Sequence, residues 1–138
     1  MRYKAIKYFA ICVLSFLPFC AFAQQQQQSE EEQLKQFRES IEKQVDDYTN
    51  LYDLESWQTF YMDSIMTHDY EAMWVELKGL QAAKITNTDA YTRIQDKWSE
   101  QMYNALQKVF NEEQWAKYLK TGAAREKKAR DKRAAKRK

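Results

Sequence analysis

Turn-forming residues are scarce in this chain, which holds only 2 glycines and 1 proline in 138 residues. A sheet protein needs many tight turns, so the scarcity predicts a few long helices. It also leaves no glycine-rich loop that could cradle a phosphate. The 2 cysteines, Cys12 and Cys20, both fall within the first 23 residues. Everything after them lacks a thiol for a disulfide, a metal site or a nucleophile. His68 is the single histidine, and with only Met66 and Asp69 beside it a metal site lacks ligands, because i and i+2 diverge on a helix. It reads as a partly buried structural residue. The acid pairs Asp46/Asp47 and Glu112/Glu113 diverge by about 100° on a helix and cannot flank a substrate. The sequence therefore predicts no enzyme, no cofactor and no metal site.

What is present begins with a targeting pattern. Arg2, Lys4 and Lys7 form a positive start, Tyr8 to Phe19 an apolar run, and Ala21-Phe22-Ala23 a small-x-small cleavage site. Residues 1–23 thus read as a signal peptide whose removal leaves Gln24 first and places the protein in the periplasm or outside the cell. An uncleaved anchor would need about 20 apolar residues, and the run is shorter. Phe19 is too bulky for the position before a lipidated Cys20. The formal charge of +2 hides an asymmetry: residues 24–120 hold 10 basic against 18 acidic side chains, and residues 121–138 hold 9 against 2. An acidic body carries a basic tail.

The mature chain divides into a Gln/Glu-rich flexible leader over 24–33, a helical domain over 34–120 and the tail over 121–138. Ser29 is placed to cap a first helix opened by Glu30, Glu31 and Glu32, with Leu34, Phe37, Ile41, Val45, Tyr48 and Tyr52 as its apolar stripe. Asp53 is expected to cap a second helix, with Tyr52 and Trp57 stapled across the start and an end near Lys84. That helix carries two apolar stripes. Leu54, Trp57, Tyr61, Ile65, Ala72 and Val75 fall on one face; Met62, Met66, Tyr70, Met73, Leu77 and Leu80 fall about 120° away. The stretch Ile85-Thr86-Asn87-Thr88-Asp89, with its short polar side chains, makes a turn. A third helix then presents Tyr91, Ile94, Trp98, Met102, Ala105 and Val109, and is expected to return along the Trp57/Tyr61/Ile65 face. Phe110-Asn111-Glu112-Glu113-Gln114-Trp115 supplies a cap, a reaching Gln and two staple residues, and so restarts a helix. The expected fold is all-α: a long antiparallel hairpin, an added N-terminal helix and a basic tail, helical by propensity but with nothing to pack on.

The two helix starts echo one another, since Leu54-Glu55-Ser56-Trp57-Gln58 and Phe110-Asn111-Glu112-Glu113-Gln114 both read apolar-x-x-x-Gln. Over roughly residues 53–120 the sequence resembles the Spy/CpxP family of small periplasmic helical proteins, whose mark is a pair of Leu-Thr-x-x-Gln motifs, each opening a helix. Glu55 and Asn111 stand where that family has Thr, and Phe110 stands for the first Leu. The resemblance implies a hairpin that dimerises into a curved cradle, and a role as an ATP-independent holding chaperone, an envelope-stress modulator or a metal-stress accessory.

On this reading Met62, Met66, Tyr70, Met73 and Leu77 form an adaptable face for unfolded or envelope proteins, because Met side chains repack readily. The same stripe would serve equally as core or as a homodimer interface. Leu54, Gln58, Phe110, Asn111, Gln114 and Trp115 form the helix-start motifs. In the tail, Arg125, Lys127, Lys128, Arg130, Lys132 and Arg133 suit an anionic envelope surface. Nucleic acid is not an expected partner after export. The rival expectation is a structural adaptor that dimerises by the Met stripe and docks through the tail.

Overall fold

The computed structural model describes residues 29–137 and is mostly helical, with no strand among the described residues. The signal segment 1–23 and the Gln run 24–28 lie outside the described residues. Compactness divides the chain into residues 1–37 and 38–138; in the first unit, the described part is Ser29 and the opening turns of α1.

Helix α1 spans Glu30–Tyr52. Ser29 Oγ accepts from the Glu32 amide at 3.3 Å, and three glutamates occupy the first turn, where they favour the positive end of the helix dipole. Helix formation from Glu30 shortens the expected flexible leader, because cap and acidic first turn already satisfy the start. Asp53 does not cap α2. It sits in the left-handed region at φ 51, and the Leu54 amide donates back to Thr49 O at 3.0 Å, which closes α1 with a Schellman turn.

Helix α2 spans Ser56–Ala82 with Glu55 as its cap residue. Trp57 makes no staple with Tyr52; it turns outward, its Nε1 donating to Glu55 Oε2 at 2.7 Å. The same left-handed device ends α2, with Lys84 at φ 55 and the Ile85 amide donating to Leu80 O at 3.0 Å. Helix α3 spans Thr88–Val109, capped by Asn87, whose side chain accepts from the Asp89 amide. Helix α4 spans Glu112–Tyr118. A wide π-type turn over Leu119–Ala123 contains Gly122 at φ 110. Helix α5, Ala124–Lys136, follows.

Helices α2 and α3 pair antiparallel: Gln58 meets Val109, Asp69 meets Gln101, and Glu76 meets Lys97. On its other flank α2 meets α1 through Thr49–Thr59 and Arg38–Glu71. Met62 and Met66 fall between these two rows and are fully buried. Ile41, Val45 and Tyr52 of α1, Met102, Leu106 and Val109 of α3, and Phe110 complete the buried apolar set. This corrects the expected packing. The Met stripe is the inner face of α2, whereas Trp57 and Tyr61, expected under α3, are exposed.

The tail is corrected as well. It is helical, and Gly122 turns it back onto α3, where Arg130 meets Glu100, Arg133 meets Asp96, and Arg137 meets both Asp96 and Asp89. A mainly polar helix can thus pack without large apolar residues, by matching charge along a seam.

Candidate protein-binding face

The start of α2 is held by a hydrogen-bonded lock between the two echoing motifs. Gln58 Oε1 accepts from the Glu55 amide at 2.9 Å, and Gln114 Oε1 accepts from the Asn111 amide at 3.0 Å. Each Gln thereby caps its own helix from the third position. The two side chains also bond each other: Gln58 Nε2 donates to Gln114 Oε1 at 2.7 Å and Gln114 Nε2 to Gln58 Oε1 at 3.1 Å. The remaining N–H groups reach across, from Gln58 to Val109 O at 2.9 Å and from Gln114 to Asp53 O at 3.3 Å. Val109 and Asp53 stand at equivalent places, five residues before the respective Gln. Both amides are buried, and each fills two donor and two acceptor positions. The lock closes the α2–α3 pair at the end away from the 83–87 turn.

Leu54 is half-buried, Phe110 buried, Asn111 an exposed cap, and Trp115 half-buried. Trp115 meets Tyr103 edge-on with ring centres 4.9 Å apart and lies tilted against Tyr118 at 5.2 Å. The helix-start residues are therefore brought together, as structural parts rather than as a surface.

With the lock fixing its first turns, α2 presents outward Trp57, Phe60 and Tyr61, which are 51%, 70% and 54% exposed. Their rings touch, Trp57 to Tyr61 at 6.3 Å and Phe60 to Tyr61 at 5.7 Å. Val75, 67% exposed, lies farther along the same side, eighteen residues from Trp57 and hence five full turns. Single exposed apolar residues are ordinary, but three adjoining aromatics form a patch. Beside Phe60 runs a groove lined also by Glu42, Val45, Asp46 and Asp63. None of these three carboxylates forms an ion pair with a described cation, so the groove presents an unneutralised acidic rim.

The expected Met face packs inward, in line with the alternative reading of that stripe as core. Met62 and Met66 are inaccessible; Tyr70, Met73 and Leu77 are partly covered. Phe60, the most exposed of the three rings at 70%, lies outside both expected stripes; the adjacency of Trp57, Phe60 and Tyr61 is its signal in the sequence. In the tail, Lys127, Arg130 and Arg133 face α3 acids, which leaves Arg125, Lys128 and Lys132 exposed. His68 is exposed rather than buried, its Nδ1 2.8 Å from Asp69 Oδ1. The chain matches no protein family model, no curated protein and no solved structure.

Proposed function

We propose that this is an exported, non-enzymatic helical hairpin protein of Spy/CpxP-like type that holds unfolded or partner segments on the Trp57–Phe60–Tyr61 face. The observation that carries this reading is the contiguous exposed aromatic patch beside an acidic groove. Rigid aromatic rings bind apolar side chains with little entropy loss, and unpaired carboxylates attract lysine and arginine. The occupant is therefore an extended segment carrying both apolar and basic residues. An acidic body suits such clients, and the lock keeps the patch on a fixed helix start. The echoing Gln motifs support the family resemblance, and export follows from the pattern of residues 1–23, with cleavage near Ala23.

Aggregation assays with two unfolded clients test the proposal, one basic (reduced lysozyme) and one acidic (reduced α-lactalbumin). The expected result is suppression of the basic client at equimolar protein, weakened by salt and lost in Trp57→Ser/Phe60→Ser with helicity unchanged. No suppression of either client would overturn it. The adaptor reading retains exposed Arg125, Lys128 and Lys132; salt-sensitive binding to anionic vesicles, unaffected by Trp57→Ser/Phe60→Ser, is its signature.

A further inference from the structure

Helix α5 is basic on two opposite faces, and α3 neutralises only one of them. Its 13 residues carry seven basic side chains against two acidic. Lys127, Arg130, Arg133 and, one residue beyond the helix, Arg137 face α3, where Glu100, Asp96 and Asp89 meet them. Arg125, Lys128, Lys132 and Lys136 are exposed. At about 100° per residue these four fall within roughly 80° of arc, and roughly 150° from the inner set. They form a single row about 16 Å long.

Neither acid of α5 interrupts that row. Asp131 pairs with Lys127, and Glu126 lies 3.7 Å from Arg125 with both side chains largely exposed, a contact that water and salt weaken. Lys128, Lys132 and Lys136 form no ion pair with a described carboxylate. Like charges three and four residues apart on a helix repel one another, so an anion laid along the row relieves a cost the free protein carries. The ladder beneath holds the row in place, which spares the complex the ordering of a loose tail.

We propose that the outer face of α5 binds a linear polyanion without bases, a chain of phosphate or sulfate groups lying along Arg125, Lys128, Lys132 and Lys136. A thin chain suits the row better than a bilayer does. No side chain of α5 is apolar and larger than alanine, so nothing can insert among acyl chains. A flat anionic surface would also meet the field of the acidic body, in which residues 24–120 hold 18 acidic against 10 basic side chains, whereas a single strand follows the row alone. The helix has no aromatic ring either, so it offers no platform on which bases could stack. The row shares no residue with the Trp57–Phe60–Tyr61 face, and failure of one leaves the other standing.

Calorimetric titration of the purified protein with short-chain inorganic polyphosphate tests this, with phosphatidylglycerol vesicles and single-stranded DNA titrated in parallel. Saturable polyphosphate binding with Kd below about 0.1 mM in low-salt buffer supports the site. With four cations engaged, log K should fall against log salt with a slope of about −3, an about 50-fold loss for a fourfold rise in salt. Lys128→Gln/Lys132→Gln alters only exposed positions, and is expected to weaken binding about tenfold or more and to make the slope shallower by about 1 to 2. No saturable binding, or unchanged binding in that variant, overturns the proposal. A slope of about −5 or steeper does so too, because it means that the inner cations have left α3 to join the contact. Tighter binding to the vesicles would assign the row to a bilayer, and tighter binding to DNA would assign it to a strand with bases; either result overturns the proposal.

Discussion

The Gln58–Gln114 lock and the α3–α5 seam both fasten α3 to a neighbour, and they are made of opposite materials. The lock is uncharged and buried, and its two amides fill every donor and acceptor position they have. The seam is a ladder of ion pairs: Glu100 with Lys127 and Arg130, Asp96 with Arg133 and Arg137, and Asp89 with Arg137. Neutral hydrogen bonds in a dry site are indifferent to salt and pH, and breaking one partner leaves others unsatisfied. Ion pairs that keep part of their solvent contact gain modestly each and are weakened by salt. The difference teaches that one end of the helix pair is fixed under all ordinary conditions, while the C-terminal helix is held conditionally.

The largest effect is expected at the lock. Gln114→Ala removes its own bonds and strands Gln58, so a loss of about 3 kcal/mol in urea unfolding is expected. Adding Gln58→Ala should cost much less than the first change, because the partner is already orphaned. A fully additive double mutant would break the idea that the two amides act as one unit.

Next comes the turn that feeds the seam. Gly122 has φ 110, where any side chain is strained, so Gly122→Ala is expected to cost about 1–2 kcal/mol. Part of that strain can be relieved by straightening α4 into α5, which pulls the basic helix off α3. Trypsin should then cut within α5 faster than in the parent, and equal cleavage rates would count against the turn's role.

A smaller loss, about 1 kcal/mol, is expected for Asp96→Asn, since Arg133 and Arg137 are partly solvated at 39% and 21% exposed side chains. Hydrogen bonds from Arg133 first, then Arg137, hold the Asp96 carboxyl below its ordinary value, and hydrogen bonds from Arg93 and Arg137 do the same for Asp89. A lowered folded-state pKa means the stabilisation is full above the unfolded carboxylate value and is lost as pH falls through the folded one. Hydrogen exchange should therefore show α5 opening on acidification below about pH 4, or in about 1 M salt, before the lock region responds. Simultaneous opening would erase the contrast drawn above.

The smallest effect is expected at the end of α2. Lys84→Gly relaxes a left-handed residue at φ 55 and is expected to raise stability by at most about 1 kcal/mol, with lock and seam unchanged. A destabilisation would show that the Lys84 side chain contributes something the backbone geometry does not.

Several features were legible before any coordinates. The Asn111/Gln114 capping box and the α1 stripe at Ile41, Val45 and Tyr52 rest on local rules of capping and periodicity, and they hold, whereas the turn expected at 85–89 lies two residues earlier, at 83–87, because the Asn87 cap already opens α3. The inner face of α2 was not legible. Its buried positions are Gln58, Met62, Met66 and Asp69, a single stripe at spacings of 4, 4 and 3 whose two ends are polar. A reading of apolar spacing discards Gln58 and Asp69, splits the stripe and promotes the exposed aromatics to core. The seam was hidden differently. Asp89, Asp96 and Glu100 recur on one face of α3, and Lys127, Arg130, Arg133 and Arg137 recur at matching steps in the tail, yet charge spacing gains meaning only once a partner helix is known.

By itself the sequence determined helix content and several helix ends, because caps, dipole charges and the scarcity of glycine and proline act over a few residues. Tertiary structure alone decided which side of α2 faces water, that two distant glutamines satisfy each other, and that the basic tail folds back. Each of these depends on groups far apart in the chain meeting, and the energy of burying a polar or charged group is set by the partner it meets there.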